Sequence, residues 1–192
     1  MAPIMTKTLI SSVLLITMLP MAGSARSQQT SVNASAAVLA GFTGRVTAYA
    51  DLRKSLEKGD AKLKSTTEPG ELDAARKSLA ARLQAARPAA KLGDIFTVDS
   101  RPVFRRLLSP QLKGTDGAEN KGAIKDDNPG AVAIKVNAPY PSKAPLSTVP
   151  PDILKALPVL PDDLDYRFVG KHLILYDTKA GLVIDYIPNA IP

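Results

Sequence analysis

Three aspartates, Asp162, Asp163 and Asp165, lie within one short stretch, and the only histidine of the chain, His172, follows shortly after them. Neighbouring carboxylates can divide general acid and general base work between them, or hold a cation. A histidine beside them would complete the groups a hydrolase needs. The same spacing also describes a turn, in which short acidic side chains accept hydrogen bonds from nearby backbone amides. Both readings stand at this level, and the turn is the commoner use. A second group, Arg101, Arg105 and Arg106, could hold a phosphate or carboxylate bidentately. Long basic side chains equally lie over apolar neighbours with their heads in water.

Other chemistry is absent by composition. There is no cysteine, so thiolate metal sites, thiol redox chemistry, disulfides and cysteine nucleophiles are excluded. One histidine rules out multi-histidine metal sites. The acidic runs Asp116-Glu119-Asn120 and Asp126-Asp127-Asn128 miss the D-x-[DN]-x-[DN]-G spacing that makes calcium ligands converge. No G-x-S-x-G elbow, phosphate-binding loop or dinucleotide fingerprint occurs. The sequence therefore assigns no catalytic residue, no metal ligand and no cofactor.

The elements that would position these side chains begin with Lys7, then an uncharged apolar run from Leu9 to Leu19, Pro20, and the small residues of 21–25. That order describes a secretory signal peptide over residues 1–27, cleaved near Ala25 or Ser27. The run is too short to span a membrane. The expectation is an exported, periplasmic or secreted protein without a membrane span after processing.

Residues 28–112 read as a basic helical region. Leu39, Phe42, Val46, Tyr49, Leu52, Leu56 and Leu63 form one stripe at helical spacing within Val38–Leu63. A second helix runs from a Thr67 cap and Pro69 to about Arg87. A third, from about Ser100 to Leu112, carries the three arginines. Residues 113–130, rich in Gly, Asp and Asn, predict a flexible linker. Residues 131–192 predict a small antiparallel sheet with a proline-rich lead. Within it, 131–136 alternate as a strand, Thr148 caps a short helix, and strands at 165–169, 172–177 and 182–187 form a meander. The Gly170-Lys171 pair suits a type II′ turn. Both faces of the central strand are apolar, so cover is expected on both sides. The fold class is α+β: an N-terminal antiparallel helical hairpin plus a third short helix, followed by a small C-terminal antiparallel β-meander.

The ending PPDILKALPVLPDDLDYRFVGKHLILYDTKAGLVID, with Gly93-Asp94-Ile95-Phe96 upstream, resembles a family of small exported proteins of Gram-negative bacteria that carries no known activity. Residues 166–187 are also similar to the C-terminal hairpin of periplasmic nickel/cobalt homeostasis proteins, a likeness that would imply a metal role.

Charge divides unevenly. From Gln28 to Lys113 there are 15 basic against 8 acidic residues, and from Gly114 to Pro192 there are 8 against 10. A cationic half suits an anionic envelope polymer or an envelope protein as partner, and export argues against nucleic acid. A solvated, Lys- and Arg-rich helix face gives the same count. The function expected is non-enzymatic binding or a structural role in the envelope. The alternatives are metal homeostasis and a hydrolase built on Asp162, Asp163 and Asp165.

Overall fold

A computed structural model describes residues 24–58, 68–126, 132–141 and 143–191, with side chains from Ala34 onward. The signal-peptide reading lies largely outside these residues, as do the Thr67 cap and Asp127-Asn128 of the second acidic run.

The expected stripe at 38–63 belongs to a longer helix, α1 (Ser24–Glu57). Phe42, Val46, Tyr49 and Ala50 are buried from it. Helix α2 (Pro69–Ala86) starts at its proline and buries Leu79, Ala80 and Leu83. The two run antiparallel: Arg87 stacks over the Tyr49 ring, while Arg82, nearer the start of α2, donates to the Leu56 carbonyl. Helix α3 (Ser100–Gln111) buries Val103, Phe104 and Leu108. Phe42, Phe96 and Phe104 meet with ring centroids 4.7–5.2 Å apart, joining α1, the 93–96 loop and α3.

Residues 114–126 are not a linker. They form α4 (Gly114–Asp126), folded onto α3. Gly117 sits against the backbone of Leu112, where a Cβ would collide, and Asn120 donates to the Gln111 carbonyl. Ile124 is buried. That single large apolar side chain leaves almost no hydrophobic period to read.

The expected strand at 131–136 is also corrected. Val132 and Ile134 pack on the sheet, but residues 132–135 form no ladder. Pairing begins after Asn137, whose φ of 56° turns the chain, at β1 (Ala138–Pro139). The short helix is α5 (Pro151–Ala156), with Pro150 rather than Thr148 at its cap. Strands β2 (Leu164–Val169), β3 (His172–Asp177) and β4 (Leu182–Ile187) form the expected meander. The antiparallel sheet has order β1-β4-β3-β2. At the β2–β3 turn Gly170 has φ 56° while Lys171 stays negative, as a type II′ turn requires.

Both sheet faces are covered. Leu173, Leu175, Leu182, Ile184 and Ile187 join the helices in the main core. Ile174, Tyr176, Val183 and Val169 face the other way, under Tyr140, Ala144 and Leu146. A β-bulge breaks the alternation of β4, since Leu175 pairs with Asp185 and Tyr176 with Val183. Regular alternation would turn Asp185 away from Leu182 and Ile184. The bulge turns it onto the helix-facing side.

Candidate functional site

The aspartate cluster does not converge. Asp163, at φ 65°, accepts from Arg53 at 2.9 Å and pairs with Lys179 at 3.2 Å. These two cations hold its carboxyl below the ordinary carboxylate range, against the opposing effect of burial. Asp162 supplies its backbone carbonyl to Arg53. Asp165 pairs with Arg167. Asp163 and Asp165 thus answer different cations, and Asp162 joins these contacts only through its backbone carbonyl.

His172 stands at the other end of β3 from Asp177, beside the β2–β3 turn. Its Nδ1 accepts the Asn189 backbone N–H at 3.2 Å, and its ring meets Tyr186 edge-on. Burial lowers its pKa. This is the geometry of a neutral imidazole that ties the residues after β4 to the start of β3.

The three arginines of α3 are separated and bound to the chain itself. Arg101 Nε donates to the Phe96 carbonyl at 2.9 Å. Arg105 donates to the carbonyls of Pro188 and Asn189. Arg106 reaches the Ser35 hydroxyl on α1 at 3.3 Å. Arg105 and Arg106 remain exposed, and Arg101 is half-buried.

Two buried acids dominate the interior instead, and neither stands out in a search for motifs. Asp177 is fully buried; its carboxylate accepts from the Tyr49 hydroxyl and the Ala180 N–H, both at 2.8 Å. Arg53, 1% exposed, lies beside it at 3.8 Å and also pairs with Glu57 at 3.3 Å. Burial pushes the Asp177 pKa up while these donors and Arg53 pull it back. Burial also works against the Arg53 charge, but the surrounding carboxylates outweigh it and raise its pKa.

Asp185, also fully buried, accepts backbone N–H groups from Gly93, Ile95 and Phe96, the latter two at 2.8 Å, and from Tyr186. Burial raises its pKa against these donors. Consecutive amides converging on a carboxylate form a nest, here filled by the protein's own side chain. An aspartate inside each of the apolar runs LILYD and LVIDYI was the available signal, because a charge is buried only with partners. Among the described residues no group of three His, Cys, Asp or Glu side chains comes together as a metal site.

An open cleft remains. It holds about 560 Å³ between α2 and the β1 edge of the sheet, lined by Arg76, Lys77 and Asp73 on one side and by Tyr140, Tyr176 and Leu146 on the other. Arg76 Nη2 donates to the Tyr176 hydroxyl at 2.6 Å. The Tyr140 hydroxyl donates to the Pro145 carbonyl at 2.7 Å, fixing the ring that meets Tyr176 edge-on. Lys77 pairs with Asp73 at 2.7 Å. Burial raises the pKa of Tyr140, with Tyr176 adding to the effect.

Comparison of the chain with protein families, with curated proteins and with solved structures finds no match in any of the three.

Proposed function

We propose that this is an exported, non-enzymatic binding protein of the cell envelope, whose basic helical half contacts an anionic partner. The observation that carries this reading is the direction in which charge is used. Asp177 and Asp185 are turned fully inward, and Glu57 and Asp163 are committed to Arg53 and Lys179. On the helical half Lys54, Lys58, Lys91, Arg105, Arg106 and Lys113 stand exposed. Residues 28–113 carry 15 basic against 8 acidic residues and 114–192 carry 8 against 10, so the positive field lies on the helical half. Asp163 and Asp165 each sit in an ion pair of their own, which supports binding over hydrolysis.

The test uses the processed chain with phosphatidylglycerol vesicles, and phosphatidylcholine vesicles as the neutral reference. Co-sedimentation with the anionic vesicles alone is expected at ~0.05 M salt, falling steeply by ~0.5 M as exposed charges are screened. Equal binding to both vesicles, or binding indifferent to salt, would overturn the electrostatic reading.

A further inference from the structure

The cleft beside α2 contains an arginine held as a ligand-binding arginine would be. Arg76 is exposed, yet its guanidinium brings its Nε–Nη2 edge close over Gly181 and is fixed by Tyr176. A Cβ on Gly181 would meet Nη2 at 2.6 Å and Nε closer still. Gly181 also has φ 69°, a backbone state that other residues adopt only under strain. Among the described residues no carboxylate lies within ion-pair distance of Arg76. Ordering a long, exposed side chain costs conformational entropy, and a bond to a neutral phenol offsets little of it. The arrangement is preorganised for an anion that arrives from outside.

The rest of the lining defines that anion. Arg76 and Lys77 against Asp73 leave one net positive charge, which suits a monoanion and disfavours a phosphate dianion beside the Asp73 carboxylate. The Tyr176 hydroxyl accepts from Arg76 and still has a proton to donate, so a carboxylate could receive from both. Beyond these polar groups the walls are Tyr140, Leu146 and the prolines flanking Tyr140. A few convergent polar groups on an otherwise apolar wall, in a volume of this size, is the make-up of a small-molecule site.

We propose that this cleft binds an apolar monocarboxylic acid, with its carboxylate on Arg76 and the Tyr176 hydroxyl and its body against Tyr140 and Leu146. The proposal rests on reading the chain as a binder, and it is independent of the vesicle-binding surface. Carboxylate binding without vesicle binding would sink the surface and keep the cleft, and the converse would sink the cleft alone.

Calorimetric titration of the processed chain with 1-naphthoate, decanoate and the neutral 1-naphthamide decides it. At least one acid is expected to saturate at one site, with the amide about tenfold or more weaker, the value of a charge-assisted pair. Arg76→Gln, an exposed substitution that leaves the core intact, should abolish the preference for the acid. Gly181→Ala, which pushes the guanidinium away, should do the same in protein whose melting shows it folded. Arg106→Gln, on another helix, should change nothing. Acid and amide binding alike, an unaffected Arg76→Gln protein, or no binding by either acid would each overturn the proposal.

Discussion

Burying Asp185 beside Ile184 and Ile187 removes its carboxylate from water, and four backbone N–H groups replace the lost solvation. An asparagine of the same shape would keep one acceptor but turn an NH₂ toward donors. We expect Asp185→Asn to lower the unfolding free energy by about 2–4 kcal/mol, read as a reduced urea midpoint; a change within error would mean that the nest contributes nothing. His172 gives a pH signature. Its Nδ1 accepts from Asn189, so protonation would set two donors against each other. The folded protein thus favours the neutral ring, and its pKa lies below the ordinary 6.5. The sign follows: this contribution to stability is present above pH 6.5 and is lost as pH falls from 6.5 through the folded value. As the only histidine, its ring resonance can be followed by NMR without assignment. A midpoint at or above 6.5 would contradict the structure.

Among the elements, α3 and the three meander strands were legible because each buries a periodic face. Helix α4 was not, since Ile124 alone supplies its apolar anchor and the rest of its hold comes from backbone contact at Gly117. The 132–136 segment shows why alternation misleads. Val132, Ile134 and Val136 are each half-buried with exposed residues between, as in a strand, yet they lie over the sheet without joining it. Alternation reports burial, whereas a ladder also needs a free edge. The helical region and the sheet are also tied to each other at this scale. Arg53 on α1 finds its acids beyond residue 160, and the 93–96 loop finds its acceptor on β4. Residues 28–113 expressed alone should therefore lack a cooperative unfolding transition, checked by circular dichroism on heating. A sharp transition would show that the helices need no sheet.

For the molecule as a whole, the main core is one apolar cluster that draws on every helix with described burial and on three strands. The fold class was legible from periods and turns, but the contacts that fix it were not. Arg53, Asp177 and Asp185 are joined to partners 89–128 residues away, and no local spacing encodes such pairs. The candidate residues picked from spacing, Asp162, Asp163, Asp165 and the α3 arginines, all turned out to be bound within the chain. The cleft escaped notice because its parts come from α2, the segment over the sheet and the β3–β4 turn, and none of these carries a motif.

The bulge that turns Asp185 inward also sets an order in time. The chain is made from its N-terminal end, so the Gly93–Phe96 amides emerge some 90 residues before the carboxylate that satisfies them. Until β4 arrives, the loop has nothing to close on and the helices around it have no finished core. The two halves therefore lock together only once the last strand has been made.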